Sequence, residues 1–267
     1  MQNELNIVGI QADLVWENPK KNIAFFEEKI QHLPKETDLV VLPEMFTTGF
    51  TMHPEKIAEF MDGTSILWMQ KMAAENQIAI TGSLVIKEHL NGAKGDKKIY
   101  NRLVFVHPSG KIETYNKRHS FTLAGEDKVY TSGDKKLIVN YKGWRICPLI
   151  CYDLRFPVWA RNTENYDLLI YMANWPVTRI RAWDTLLKAR AIENMSYVIG
   201  VNRTGKDAND YKYSGNSLIV DFLGDELSSL HINEIGLIKA KINKTNQDKT
   251  RKKLGFLNDR DSFSIID

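Results

Sequence analysis

Cysteine is scarce in this chain, whose 267 residues contain only Cys147 and Cys151. Two thiols cannot cross-link a chain of this length, so the class of small disulfide-rich secreted proteins is excluded. A structural zinc site needs four ligands, and no second pair of Cys or Cys/His lies at zinc-finger spacing. The two thiols therefore need another explanation.

An excess of charge of one sign and long apolar runs are also lacking. The 36 basic and 33 acidic residues leave a net charge of +3, whereas nucleic-acid-binding proteins concentrate positive charge on one face. No apolar run approaches the roughly 18 residues of a spanning helix, and the N-terminal residues lack the pattern of a secretory signal. We therefore expect a soluble cytoplasmic protein that binds neither nucleic acid nor membrane.

Patterns typical of strands and helices alternate along the chain. An asparagine followed by proline, Asn18-Pro19, predicts the start of the first helix. The apolar patterns predict strands at residues 5–11, 38–42, 78–86, 99–106, 111–115, 144–150, 168–173, 197–202, 217–221 and 235–242, and further helices at 65–76 and 179–195. No Pro/Gly/Ser-rich linker divides the chain, which predicts a single α/β domain over residues 1–267 with the tail after about residue 244 unassigned.

A segment rich in glycine and lysine, residues 91–98, interrupts this alternation. It lacks the order G-x-x-x-x-G-K-[ST], so it does not qualify as a phosphate-binding loop. We interpret it as the solvated end of a hairpin.

Cys151 ends an apolar run and is followed by a polar segment that predicts a helix start. A thiol at such a junction lies beside backbone N–H groups and a helix N-terminus, which lower its pKa and stabilise anions. The N–H of Tyr152, the next residue, is a candidate oxyanion donor. A buried structural cysteine is an equal alternative at this stage.

Cys147 lies within the same apolar run, and a core position is the better interpretation. Residues four apart in a strand are about 13 Å from each other, which is too far for a disulfide between Cys147 and Cys151. Of the six histidines, the usual bases for a thiol, none has a distinctive setting.

Two other side chains are candidates for acid–base chemistry. Glu44 follows an apolar strand, and the carboxyl ends of strands are where ligand sites of α/β proteins collect. Lys117 follows another predicted strand, residues 111–115. Each residue taken alone is better explained as an ordinary surface group.

Three motifs together are more specific. Residues 42–46 (LPEMF), 115–119 (YNKRH) and 149–157 (LICYDLRFP) resemble, in order and approximate spacing, the three signatures of the nitrilase superfamily of carbon–nitrogen hydrolases. The resemblance implies a four-layer αββα sandwich and a catalytic triad of Glu44, Lys117 and Cys151. It further implies that Glu126 supports the lysine. Glu44 would then be the general base, Lys117 an oxyanion stabiliser, and Cys151 the nucleophile.

Four further segments are similar to the ω-amidase branch of that superfamily: residues 43–50 (PEMFTTGF), 174–176 (NWP), 190–194 (RAIEN) and 200–205 (GVNRTG). This similarity implies hydrolysis of the terminal amide of α-keto acid amides such as 2-oxoglutaramate, through a thioester. An amidase or acyltransferase acting on another small amide, and a non-catalytic scaffold, are the alternatives.

The same resemblance implies no metal, no organic cofactor and a homodimer. Candidates for shaping the substrate pocket are Phe121, Asn174 and Trp175, although Phe121 could equally be a packing aromatic. Arg155 and Arg203 are the candidates for binding a substrate carboxylate. A structural ion pair with Asp153 is the alternative for Arg155.

Overall fold

The computed structural model describes residues 2–89 and 97–265 of the chain. The glycine- and lysine-rich segment interpreted as a hairpin end falls almost wholly at residues 90–96, which lie outside the described residues. On either side of it, residues Ala79–His89 and Lys97–Val106 pair as antiparallel strands, with His89 opposite Lys97.

Two six-stranded sheets form the centre of the protein. In spatial order, the first contains β14 (Gly236–Asn243), β1 (Glu4–Gln11), β2 (Leu39–Val41), β3 (Ala79–His89), β4 (Lys97–Val106) and β5 (Ile112–Asn116). The second contains β13 (Glu226–Ser229), β12 (Leu218–Val220), β9 (Tyr197–Asn202), β8 (Leu168–Ala173), β7 (Trp144–Ile150) and β6 (Val139–Tyr141). A separate antiparallel pair consists of β10 (Thr204–Lys206) and β11 (Lys212–Ser214). In each sheet three strands run parallel, namely β1, β2 and β3 in the first and β7, β8 and β9 in the second.

Helices cover the outer faces of the sheets. They are α1 (Pro19–Gln31) and α2 (Thr64–Asn76) on the first sheet and α4 (Ile180–Asn194) on the second, while α3 (Pro157–Ala160) comes shortly after β7 in the chain and α5 (Lys244–Leu254) follows β14. None of the helices within the described residues is long and apolar enough to cross a membrane.

The alternation of side chains along a strand explains the layers. In β2, Leu39 and Val41 belong to the core between the sheets, whereas Val40 packs on the opposite face with Phe26 of α1 and Ile66 of α2. Successive strand residues point to opposite faces, so a strand buried on both sides reads as a continuous apolar run. The layers are therefore helix, sheet, sheet and helix, which confirms the predicted αββα sandwich.

The second sheet allows close approach of α4 because β9 contains Gly200. A Cβ atom at this position would lie 2.5 Å from Leu187 Cδ1 and 2.8 Å from Trp183 Cζ2. Glycine is therefore the residue that lets the helix pack directly on the strand.

The predicted elements agree with the structure where the sequence pattern is strong. The strands at 144–150, 168–173 and 197–202 have the predicted bounds, and Asn18 caps α1 by accepting from the Lys21 N–H at 3.0 Å. Short strands such as β6, β10, β11 and β13 were not predicted, because three or four residues carry too little periodicity. The unassigned tail forms α5, in which Arg251 donates to Met195 O at 2.8 Å.

Candidate active site

The candidate active site lies where strands of both sheets end. Glu44 follows β2, Lys117 follows β5, Cys151 follows β7 and Asn174 follows β8. The first two strands belong to one sheet and the last two to the other, so the side chains meet between the sheets. The structure thus brings the three motif residues together, although they are far apart in the sequence.

Lys117 lies between two buried glutamates. Its Nζ is 2.9 Å from Glu44 Oε1 and within 3.0 Å of both carboxylate oxygens of Glu126. Burial alone would lower the pKa of Lys117, but the carboxylates of Glu126 and Glu44 outweigh it and raise that pKa above its ordinary value. Lys117 is therefore a cation at neutral pH. Burial also raises the pKa of Glu126, against the opposing effect of Lys117.

Two asparagines orient the Glu44 carboxylate. Asn101 of β4 donates its amide to Glu44 Oε1 at 2.7 Å, and the backbone N–H of Asn174 donates to Oε2 at 2.9 Å. The Asn174 amide also donates to the backbone oxygen of Glu44 at 2.6 Å. Sequence reasoning missed Asn101. Its only signal was a polar residue within a predicted buried strand, where buried polar groups must find partners.

Cys151 lies at a strained turn. Its φ of +42° is in the left-handed region, which is unfavourable for residues other than glycine and is concentrated at functional sites. A 3-10 turn over Cys151–Arg155 begins directly after β7, so the N–H groups of its first residues, including that of Tyr152, have no partner within the turn.

The Asp153 carboxylate holds this turn in place through hydrogen bonds to neighbouring segments. Its carboxylate accepts from the Ile150 N–H at 3.1 Å, from the Tyr115 hydroxyl at 2.7 Å and from the His119 N–H at 3.1 Å. The His119 ring, 2.8 Å from Asp153 through Nδ1, stacks on Phe156 with ring centroids 3.7 Å apart. His119 therefore serves the turn and does not line the active-site cavity.

The surroundings of Cys151 shift the pKa of its thiol in the direction opposite to the one expected from the sequence. The sequence suggested a thiol pKa lowered by the helix N-terminus. Instead, burial raises the pKa of the Cys151 thiol well above its ordinary value, and the Glu44 carboxylate raises it further, against the opposing effect of Lys117. The resting residue is therefore a neutral thiol beside a carboxylate. Cys147 is confirmed as a core residue, fully buried and free of any disulfide.

A cavity of about 390 Å³ opens onto the thiol, a size typical of sites for small molecules. Its wall includes Glu44, Lys117 and Cys151, and all three predicted pocket residues, Phe121, Asn174 and Trp175. Tyr152, Arg155, Asp207 and Tyr213 also contribute to it. Glu126 lies behind Lys117, fully buried.

The two arginines predicted to bind a substrate carboxylate lie in different environments. Arg155 lines the cavity with its guanidinium 4.9 Å from the centre of the Trp175 ring. It makes no ion pair with Asp153, so the structural alternative for this arginine is wrong. Arg203 is fully buried outside the cavity wall, where it donates to Asp13 Oδ1 at 2.9 Å and to backbone oxygens.

Arg179 is a cavity residue that sequence reasoning missed. Its guanidinium lies 5.0 Å from the centre of the Phe121 ring. It immediately precedes α4, and a charged residue before a helix has no distinctive sequence signal. Among residues 2–89 and 97–265, no group of three or more His, Cys, Asp or Glu side chains is placed to hold a metal ion.

Comparison with known proteins agrees with this geometry. The sequence model of the family described as Carbon-nitrogen hydrolase matches residues 7–252. Omega-amidase YafV of Yersinia enterocolitica is 38% identical over 98% of this chain and 99% of that protein, and the 2-oxoglutaramate amidase of Bacillus subtilis is 31% identical over 94% and 95%.

A solved structure shows the same fold. XC1258 from Xanthomonas campestris, a CN-hydrolase superfamily protein with an arsenic adduct in its active site, superimposes with a TM-score of 0.93 at 37% identity. The alignment covers 99% of this chain and all of that one. The matching motifs, the sandwich and the family match over most of the chain together establish that the protein belongs to the carbon–nitrogen hydrolase family.

Proposed function

We propose that the protein is an ω-amidase that hydrolyses the terminal amide of small α-keto acid amides, such as 2-oxoglutaramate, to the acid and ammonia. The observation that carries the proposal is the buried cluster of Glu44, Lys117 and Cys151 at the floor of a cavity of about 390 Å³. Relatives that are 31–38% identical over nearly the whole chain have this activity in their names.

Glu44 is the general base of the proposed mechanism. A carboxylate offers about four lone-pair positions. On Glu44, Lys117 and Asn101 take two at Oε1, and Asn174 takes one at Oε2. The remaining position on Oε2 is free to receive the thiol proton of Cys151. Because the thiol is neutral at rest, proton transfer to Glu44 must accompany its attack on the amide carbon.

The first half of the reaction forms a thioester. The sulfur of Cys151 bonds to the amide carbon, and the carbonyl oxygen becomes an oxyanion. Lys117 and the backbone N–H of Tyr152 stabilise that charge. Glu44 returns its proton to the amide nitrogen, the carbon–nitrogen bond breaks and ammonia leaves.

Hydrolysis of the thioester completes the cycle. Glu44 takes a proton from water, the hydroxyl group bonds to the acyl carbon, and the carbon–sulfur bond breaks. The proton on Glu44 then returns to the sulfur, which restores the neutral thiol. Glu126 holds Lys117 in place through both oxygens and thereby keeps the cation beside the base.

Ammonia release from 2-oxoglutaramate tests the proposed function. We expect turnover in the wild-type protein, none in Cys151→Ala, and near wild-type turnover in the matched variant Cys147→Ala, since Cys147 lies in the core. Absence of ammonia from every ω-amide would sink the proposal. Transfer of the acyl group to an added amine in preference to water would favour the acyltransferase alternative instead.

Mass spectrometry of Glu44→Gln tests the mechanism. Without its base the variant should turn over at least about a hundredfold more slowly, and its acyl-enzyme population should differ from that of the wild type. An unchanged turnover number would remove Glu44 from the role of base.

The remaining parts of the proposal concern the whole protein. The chain acts as a single domain, pairs as a homodimer, needs no cofactor and binds neither nucleic acid nor membrane. It works in the cytoplasm, where thiols stay reduced, since an oxidised Cys151 could not attack an amide. Light scattering on the purified protein checks the dimer.

A further inference from the structure

Two guanidinium groups face the active-site cavity without an anionic partner. Arg155 and Arg179 both line the wall and are half-buried. Neither side chain forms an ion pair or a hydrogen bond with any residue in the described parts of the chain, 2–89 and 97–265. Half-buried arginines normally satisfy their five donors, so these two are available to a ligand.

Aromatic rings fix where the two cations lie. Arg155 lies over Trp175, and Arg179 lies over Phe121. Trp175 links the pair, because its indole N–H donates to the backbone oxygen of Arg179 at 2.8 Å. Stacking on an aromatic face orients a guanidinium and leaves the N–H groups at its edge free to bind.

The same segment connects the cations to the reacting groups. Asn174 orients the Glu44 carboxylate, and Trp175, the next residue, supports both arginines. Trp175 is itself held by its backbone N–H, which donates to Asn202 Oδ1 at 2.7 Å. Two consecutive residues, Asn174 and Trp175, therefore connect the base to the arginine pair.

The charges of the site make these cations necessary for an anionic substrate. Glu44 and Glu126 contribute two carboxylates, and Lys117 contributes the one ammonium that they share. Asp207, also on the wall, accepts from the Tyr213 hydroxyl at 2.7 Å. Lys117 is already paired with both glutamates. Among the described residues of the cavity wall, Arg155 and Arg179 are the remaining lysine or arginine side chains, so they supply the positive charge that is left for a ligand.

We propose that Arg155 and Arg179 form a clamp that binds the carboxylate at the end of the substrate opposite its amide. The clamp rests on the proposed function and sharpens it. The site selects amides that carry one carboxylate, and it discriminates against neutral amides of the same shape. A carboxylate can accept parallel hydrogen bonds from a guanidinium, which gives geometry as well as charge.

A matched pair of amides tests the clamp. Glutaramate carries a carboxylate, and 5-oxohexanamide has the same shape with a methyl ketone in its place. We expect wild-type kcat/KM to favour glutaramate by at least about a hundredfold. Arg155→Gln and Arg179→Gln should each reduce this ratio about tenfold or more, and the double variant should nearly abolish it. Arg181→Gln is the control, because Arg181 lies in α4 two residues after Arg179, is exposed and does not line the cavity.

A binding measurement separates failure of the clamp from failure of the proposed function. Calorimetry with glutarate, in the Cys151→Ala background, should show binding that weakens at least tenfold when both arginines are replaced. If no amide is hydrolysed but glutarate binding depends on the arginines, the clamp stands and the amidase proposal falls. If the double variant keeps the wild-type preference for glutaramate, or binds glutarate equally well, the clamp is overturned.

Discussion

Replacing Asn101 with aspartate would place a third carboxyl group beside two glutamates that share one ammonium group. The Asn101 side chain is 1% exposed, and its amide nitrogen lies 2.7 Å from Glu44 Oε1 and 3.3 Å from Glu126 Oε1. An uncompensated buried ion costs several kcal/mol. We therefore expect the introduced carboxyl group to stay protonated in the folded protein at neutral pH.

The magnitude follows from the protonation of the folded and unfolded states. In the unfolded chain, the introduced carboxyl group ionises near its ordinary pKa of about 3.9. Above that pKa, each pH unit over which the folded form stays protonated lowers the free energy of unfolding by about 1.4 kcal/mol. Between about pH 4 and pH 7 the total loss is therefore about 4 kcal/mol. Stability is retained below about pH 4 and lost as the pH rises, because the unfolded state then binds fewer protons.

Urea unfolding of Asn101→Asp and of the wild type, between about pH 4 and pH 8, measures this loss. Asn3→Asp is the matched control, because Asn3 is exposed and its replacement should change stability by less than about 0.5 kcal/mol. In the folded form the protonated carboxyl group still donates to Glu44, so any fall in ammonia release by Asn101→Asp with rising pH should follow the loss of folded protein. A difference in unfolding free energy that does not vary with pH would refute the reasoning.

Three further changes probe the supports of the site. Gly205→Ala should lower the free energy of unfolding by about 1–2 kcal/mol, measured by urea titration, because Gly205 has a φ of +83° and a Cβ there would lie 2.1 Å from Asp13 Oδ1; an equally stable variant would contradict this. Asp153→Asn weakens the hydrogen bonds that hold the turn Cys151–Arg155, so it should lower the free energy of unfolding by about 1–3 kcal/mol and reduce kcat. An unchanged free energy of unfolding together with an unchanged kcat would argue against a supporting role for Asp153. Iodoacetamide should label Cys151 in the folded protein, because Cys151 lines the cavity beside Glu44, but it should reach Cys147 only after unfolding, because Cys147 is fully buried in the core; labelled Cys147 in peptide maps of the folded protein would contradict this.

Local patterns predicted much of the fold. The strands β7, β8 and β9 are continuous apolar runs, so their bounds could be read directly from the sequence. The first helix was marked by its cap, Asn18, and by the proline that follows. The order of strands in each sheet could not be read this way, because pairing joins residues far apart in the chain, as with β1 and β14.

Some residues of the candidate site could likewise be predicted from the sequence, and others could not. Glu44, Lys117 and Cys151 stand in motifs and could be selected from the sequence. Asn101 and Arg179 could not, since each is defined by what it contacts across the fold. Arg203, which the sequence made a candidate for the substrate carboxylate, is committed to Asp13 instead.

The sequence by itself determined the type and position of most elements, the core role of Cys147 and the residues that carry the resemblance to carbon–nitrogen hydrolases. These features depend on neighbours within a few residues, where side-chain periodicity and capping act. Tertiary structure decided the protonation of Cys151, the asparagines that hold Glu44 and the free arginine pair. Burial and charge at those positions arise only when two sheets bring the ends of β2, β5, β7 and β8 together. The order of residues along the chain does not show which of these strand ends lie close to each other in the fold.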